Sequence, residues 1–580
     1  MSRESKRGLF SKSTFFVMTT ILTVLAFTVE GSSFLENSND TLKAWIYLKE
    51  GLQEKFLKPI EYPERTLKRL NKVGWIKNKD KSDYGPSKEI IKTIKDNVLE
   101  IRHYSRVLKA FSAVISMENY LKLKNLEFVD RIEPLRTFVK RRSIETSWFS
   151  EKDLQKISEE ENFYGESYKQ LNQLNIPTAQ DLGLTGKGIR IALIDAGFRK
   201  DHRAFRKILD ENRLIAEHDF IFNDGNVQNE NTEDMQYNQS SHGTSVWSLI
   251  CGFVPDTLIG AAYGAEFLLA KTERIGSETR TEEDNYVAAI EWADSLGADI
   301  ISTSLAYRDF DDGFCYDFSE LDGLTAVTTI AANWAYERGI LFVTAAGNYA
   351  TGFPDGGLYT PGDAYGALTV GAVDENGNIA GFSSHGPTAD GRIKPDLCAM
   401  GVNNYVARDY SIDSYGTGGG TSYSTPLIAG AAALILERYP NWGPSDIINE
   451  LKKHSSRSNN PDDHYGWGTP DVCKTIIKNE RIVKRGEITV FPNPTMKSTN
   501  FSCKLSFRSL AENKQAELRV FDLSGSLVWN FIIQPRLTGE NGYVKWNLRD
   551  CYGRKVPTGI YLVYLKTGKE EKIGKFLIIK

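Results

Sequence analysis

The chain has 580 residues, which at roughly 150 residues per domain allows about three or four domains. Hydrophobic residues make up 41% and charged residues 25%, a composition that excludes a largely disordered or fibrous protein. With 71 basic against 75 acidic side chains the formal charge is −4, which lacks the basic footprint of a nucleic-acid binder, and six cysteines are too few to staple a chain of this length.

Residues 1–33 have the pattern of an export signal. Arg3, Lys6, Arg7 and Lys12 precede the mostly apolar run Phe15–Val29, and small residues follow at Gly31, Ser32 and Ser33. The alternative is a membrane anchor, but the run is short for a span and holds four threonines. No later segment reads as a membrane-spanning helix, so the expected mature protein is soluble and outside the cytoplasm. The cysteines (251, 315, 398, 473, 503 and 551) form no C-x-x-C pair, which argues against a zinc ribbon or redox motif. Their pairing stays open between disulfides and buried thiols.

Residues 34–142 are rich in Lys, Glu and Leu and read as a small α+β domain. Lys88–Leu99 is amphipathic at helical spacing, Arg102–Ser116 reads as strand, Tyr120–Leu126 as a short helix, and Phe128–Leu135 as strand again. The segment ends in Lys140-Arg141-Arg142, and the polar stretch 143–162 reads as a linker.

Composition then shifts to Gly, Ala, Ser and Thr over 163–480. Ile189–Ile194, Phe267–Ala270, Ile300–Ile301, Ile340–Thr344 and Leu368–Val373 read as buried strands, separated by helical stretches such as Glu283–Leu296 and Ala326–Arg338. This alternation predicts an α/β fold, a parallel sheet flanked by helices. From 487 to 580 seven short strand candidates follow: Glu487–Val490, Cys503–Phe507, Ala516–Phe521, Leu527–Ile532, Tyr543–Trp546, Gly559–Leu565 and Ile573–Ile579. Turn residues separate them, as expected for a β-sandwich.

Four motifs in the central domain carry chemistry. The strand Ile191–Ile194 ends in Asp195, and function gathers beyond the carboxyl ends of parallel strands. His242 stands in Ser241-His242-Gly243-Thr244 at the expected start of a helix. Asn348 follows the strand and turn Thr344-Ala345-Ala346-Gly347. Ser422 follows Gly418-Gly419-Gly420-Thr421 and precedes the helical run Leu427–Arg438, which places Pro426 within the first turn, where a missing N–H costs little. A serine hydroxyl needs an imidazole to take its proton, and a buried carboxylate fixes the imidazole tautomer. The Ser422 N–H and the Asn348 amide supply donors for an oxyanion.

In the order Asp195, His242, Asn348, Ser422 these motifs resemble the subtilisin-like serine proteases, the subtilase family. The tracts Phe382–Pro387, Lys394-Pro395-Asp396 and Tyr465-Gly466-Trp467-Gly468 extend the resemblance. It implies that Asp195 orients, His242 is general base and acid, Ser422 attacks, Asn348 binds the oxyanion, and peptide bonds are cleaved. It implies no required cofactor and admits a structural calcium. The loop of Asp309, Asp311, Asp312 and Asp317 reads either as a solvated acidic loop or as a candidate for that ion, although its spacing is not that of an EF-hand. Three positions depart from the usual pattern: Ala196 for Ser or Thr, Trp247 for a small residue, and Tyr423 for Met or another apolar residue. None removes a catalytic group. The remaining histidines read as packing or surface residues.

The flanks resemble known modules too. Ala110–Ile115 and Phe128–Glu133 are similar to the strands of inhibitory propeptides, which makes the chain's own propeptide an expected partner and the chain a zymogen. Val490-Phe491-Pro492-Asn493-Pro494, Arg519–Gly525, Val556–Tyr561 and the terminal Gly574–Lys580 resemble type IX secretion sorting domains, which implies bacterial secretion machinery as a partner and passage across an outer membrane. The expectation is a secreted serine endopeptidase acting on proteins or peptides. A binding or adhesion protein on a catalytically weak protease scaffold is the alternative.

Overall fold

The computed structural model describes residues 41–50, 52, 57–75, 84–135 and 163–477, and parts of the C-terminal region: 489–491, 495–496, 501–504, 516–533, 543–546, 548–550, 552, 554–567 and 570–579. The proposed signal and the linker lie outside the described residues. Two compact units emerge. One comprises 1–59 and 84–135, and the other comprises 60–83 and 136–580.

The N-terminal unit is a four-stranded antiparallel sheet. Its strands are β1 (Thr41–Leu48), β4 (Glu100–Ser105), β5 (Ala110–Ser116) and β6 (Val129–Pro134), in the order β4-β5-β1-β6. Strands β2 (Leu57–Pro59) and β3 (Tyr84–Pro86) pair separately. Between them lies α1 (Glu64–Lys72), which groups with the second unit. Helices α2 (Lys88–Asn97) and α3 (Met117–Lys124) are each capped by the serine before them: Ile90 N donates to Ser87 Oγ and Asn119 N to Ser116 Oγ. The single strand expected over 102–116 is instead a hairpin, β4 and β5. The chain reverses at Lys109, whose φ of 50° is left-handed, and the apolar run 110–115 pairs back on 100–105.

The central part holds a seven-stranded parallel sheet. Its strands are β7 (Arg190–Asp195), β8 (Leu214–Asp219), β9 (Glu266–Lys271), β10 (Ile300–Thr303), β11 (Leu341–Ala345), β12 (Ala367–Val373) and β13 (Leu397–Met400), in the order β13-β12-β11-β10-β7-β9-β8. Strands β10 to β13 are buried at every residue, as both faces of a helix-covered sheet require. Helices α4 (Ser241–Cys251), α5 (Arg280–Ser295), α6 (Val327–Glu337), α7 (Thr421–Arg438) and α8 (Pro444–Lys453) belong to this part. Helix α7 begins six residues before the apolar run that announced it, so Pro426 lies inside the helix rather than in its first turn. A two-stranded ribbon, β14 (Asn404–Arg408) with β15 (Ser414–Gly418), leads into α7.

The C-terminal part has a three-stranded sheet, β16 (Thr489–Phe491), β18 (Phe501–Lys504) and β21 (Tyr543–Trp546). A second sheet has five strands, β17 (Thr495–Met496), β19 (Ala516–Asp522), β20 (Leu527–Ile533), β22 (Gly559–Thr567) and β23 (Glu570–Ile579). Trp546 of the first stacks at 5.5 Å on Trp529 of the second, and Leu518, Val520, Val563 and Phe576 complete the core. This is the expected sandwich.

Candidate active site

Strand β7 occupies a middle position in the sheet, and its apolar run is buried along its length. The run delivers Asp195 to the carboxyl edge, where it is 1% exposed. Its Oδ1 accepts from the Ala196 N–H at 2.8 Å, so a backbone donor holds the carboxylate although residue 196 has no hydroxyl. Helix α4 begins beside that edge. It comes this close because residue 243 is glycine: a Cβ there would stand 2.1 Å from the Gly197 carbonyl oxygen.

His242, in the first turn of α4, donates from Nδ1 to Asp195 Oδ1 at 2.8 Å and lies 3.0 Å from Oδ2. That bond sets the tautomer and leaves Nε2 as the acceptor. The imidazole side chain is 30% exposed, enough to meet a substrate. Burial opposes its protonation, but the charge and hydrogen bond of Asp195 outweigh burial, so His242 titrates above the ordinary histidine value; Arg408 pulls weakly the other way. Tyr423 presents its ring to the imidazole edge-on at 6.3 Å.

Ser422 lies in the first turn of α7 and is 8% exposed. Its neighbours fix its place: Tyr423 touches His242, and the Thr421 N–H donates to Asn348 Oδ1 at 2.9 Å. The Ser422 hydroxyl itself donates to the Ser304 carbonyl at 3.3 Å, and among the described residues no hydrogen bond joins it to His242. Asn348 Oδ1 also accepts from Thr421 Oγ1 at 3.1 Å. With its oxygen held, the Asn348 Nδ2 donates to no described group and stands on an exposed residue at the cleft. With the Thr421 N–H on Asn348 and the Tyr423 N–H on the Gly420 carbonyl, the first turn leaves the Ser422 N–H for an anionic oxygen.

All four residues singled out from sequence therefore gather at one edge of the sheet. Sequence reading gave no holding role to the residues that fix them. Thr421 orients Asn348, and Ser304 bonds Ser422 in both directions, its hydroxyl donating to the Ser422 carbonyl at 2.9 Å. The nearby Glu273 was also missed. Burial pushes its carboxyl from 4.5 up to about 7; the Tyr307 hydroxyl, which donates to it, pulls down, and the charge of Asp195 adds to the rise.

Trp247 and His202, also singled out from sequence, are structural. Trp247 is fully buried, stacked 3.9 Å over Phe205 and edge-on to Phe198 and Phe267, so it packs the core beneath α4. His202 is buried, with Nε2 on the Ser414 carbonyl at 2.9 Å and Nδ1 accepting from the Ala204 N–H. In the acidic loop, Asp311 and Asp312 accept backbone N–H groups of Glu278 and Phe314. Among the described residues Glu273, Glu278 and Glu282 bring three carboxylates close together. Cys251, Cys315 and Cys398 are free thiols, and burial raises those of Cys251 and Cys398.

Comparison with known proteins agrees with this geometry. The Subtilase family profile matches residues 186–468, and that of the Secretion system C-terminal sorting domain matches 489–580. Subtilisin Savinase of Lederbergia lenta is 28% identical over 299 residues, covering 51% of this chain and 94% of the relative. The thermostable alkaline protease of Halalkalibacterium halodurans is 30% identical over 297 residues, 51% of this chain and 69% of that one. Serine protease AprX of Bacillus subtilis is 30% identical over 324 residues, 50% and 67% of the two chains. The C-terminal match marks a type IX sorting domain, which directs export to the cell surface or beyond. The chain belongs to the subtilase family and is a serine-type endopeptidase.

Proposed function

We propose that the protein is an exported zymogen whose mature form hydrolyses peptide bonds through an acyl-enzyme on Ser422. The observation that carries this reading is the Asp195–His242 bond at 2.8 Å, which leaves Nε2 as a base at the cleft edge where the first turn of α7 presents Ser422.

A scissile carbonyl entering the cleft draws the Ser422 hydroxyl away from the Ser304 carbonyl toward Nε2. His242 takes the proton as Oγ attacks, and Asp195 stabilises the imidazolium. The tetrahedral oxygen receives the Ser422 N–H and the Asn348 Nδ2–H. As the C–N bond breaks, His242 returns the proton to the leaving amine. Water activated by the same imidazole then releases the acyl group. A resting hydroxyl not yet bonded to its base is common before substrate binds.

In this reading residues 1–33 direct export, 34–142 act as propeptide, 143–162 are a linker that is cut, 163–480 form the peptidase and 487–580 the sorting domain. Among the described residues no helix is long and apolar enough to cross a membrane. The test is a fluorophosphonate probe on the secreted protein. Labelling at Ser422, lost in Ser422→Ala together with hydrolysis of a denatured protein, is the expected result. A folded, processed chain that never labels would instead point to a binding scaffold. Mass spectrometry of the secreted termini checks the processing sites.

A further inference from the structure

Helix α5 ends badly by its own sequence. Its last turn holds no basic residue and carries the fully buried Asp294, a negative charge at the negative end of the helix dipole. The missing cations come from outside the sequence neighbourhood. Arg338, the residue after α6 and itself fully buried, donates to Asp294 Oδ2 at 2.8 Å. Arg69 of α1, 5% exposed, donates to Asp294 Oδ1 at 2.5 Å and to the Ala298 carbonyl at 3.3 Å.

The rest of segment 60–75 continues the same function. Thr66 Oγ1 donates to the Asp294 carbonyl at 3.1 Å, and Arg65 Nε to the Gly297 carbonyl at 3.0 Å. Arg65 also reaches the Gly188 carbonyl at 2.9 Å and pairs with Asp299. Tyr62 and Trp75 place their rings 5.0 and 5.2 Å from the Arg338 guanidinium, with Trp334 of α6 at 4.6 Å. Residue 339 is glycine, and a Cβ there would meet Val73 Cγ1 at 2.8 Å.

The place is as telling as the contacts. Gly188, Asp299 and Gly339 precede β7, β10 and β11, so this anchor sits at the amino edge of the sheet. Asp195 and Asn348 stand at the opposite edge, about 20 Å away for six residues at roughly 3.3 Å each. The anchor therefore does not work by filling the cleft.

We propose that residues 60–75 are a lasting structural part of the peptidase, an interaction surface whose partner is the chain's own N-terminal segment. After a cut in 143–162 this segment stays seated as the C-terminal cap of α5, which makes the mature enzyme a non-covalent two-chain assembly. The proposal rests on the reading that the N-terminal region is cut from the peptidase.

The test uses full-length chain carrying Ser422→Ala and a recognition site for an added protease within 143–162. After cutting, size-exclusion chromatography and native mass spectrometry should recover the N-terminal fragment with the peptidase, and hydrogen exchange should keep 64–72 protected. The double substitution Arg65→Ala/Arg69→Ala should weaken retention at least about 100-fold, because it takes Arg69 from the buried Asp294, leaving Arg338 alone there, and Arg65 from Asp299. Should that variant fail to fold, Tyr62→Ala/Trp75→Ala should still speed release about tenfold or more by uncovering Arg338. Lys68→Ala, at a side chain 75% exposed, should change nothing. Loss of the fragment from the chain bearing only Ser422→Ala, or equal retention by the variants, overturns the proposal. Because no step needs turnover, a failure here is distinct from a failure to hydrolyse.

Discussion

The hydroxyl of Ser304 donates to the carbonyl of Ser422 at 2.9 Å, a bond that the helix itself cannot supply. In a regular helix that carbonyl would accept the N–H of residue 426, but residue 426 is proline. Ser304 thus fills the gap opened by Pro426 and fixes the backbone that carries Ser422. Its own carbonyl holds the Ser422 hydroxyl at rest, at 3.3 Å.

Ser304→Ala should therefore lower kcat more than it raises KM, by about tenfold, and cost about 1 kcal/mol of stability for the orphaned carbonyl. Pro426→Ala restores the missing N–H. Combined with Ser304→Ala it should recover part of the loss, and steady-state kinetics with denaturation of the four chains gives the coupling.

The acid limb of kcat/KM reports the imidazole, which must be neutral to act. Asp195 lifts the His242 pKa above its ordinary value, so activity should rise with pH along a limb placed higher than a free histidine would give. Asp195→Asn should shift that limb down and reduce kcat by about 10⁴-fold, the size expected when the tautomer is no longer fixed. A limb unchanged by Asp195→Asn would mean another group titrates.

Asn348→Ala should cost roughly 10²–10³ in kcat with little change in KM, since its amide meets an oxygen that becomes anionic only in the transition state. Thr421→Val should produce a smaller loss in the same direction. It removes the 3.1 Å hydroxyl bond to Asn348 Oδ1 but leaves the 2.9 Å backbone bond. A loss in KM alone would assign Thr421 to substrate binding instead.

Glu273 couples stability to pH. Its carboxyl is raised from 4.5 to about 7 by burial, so the folded state favours the neutral acid. That contribution is fully present below about pH 4.5 and is lost as pH rises through about 7. Glu273→Gln should flatten this decline and raise stability near pH 8 by on the order of 1–3 kcal/mol. Thermal midpoints across pH 5–8, measured on Ser422→Ala to prevent self-digestion, test it; a parallel decline in both chains would refute the assignment.

Much of this protein is legible in its sequence. The apolar runs 189–194, 340–344 and 368–373 fall within about one residue of β7, β11 and β12, because a strand buried on both faces must be apolar throughout. Strand β8 escaped notice because its side chains are only half-buried and its run LIAEHD is mixed. Strand β1 begins with exposed and half-buried residues and its partners are far along the chain. The four candidate site residues were legible because the chemistry proposed for them demands particular residues in particular local settings, each a strand end, a turn or a helix start.

The sequence by itself determined the chemistry: a carboxylate at the end of an apolar strand, an imidazole and a hydroxyl at helix starts, and an amide after a strand. Tertiary structure alone decided what holds them. Thr421 on Asn348, Ser304 on Ser422 and Arg69 on Asp294 are separated by 73, 118 and 225 positions. No local pattern marks such pairs, because a hydrogen bond or buried charge pair depends on distance in space, and only the packed sheet brings those groups within reach.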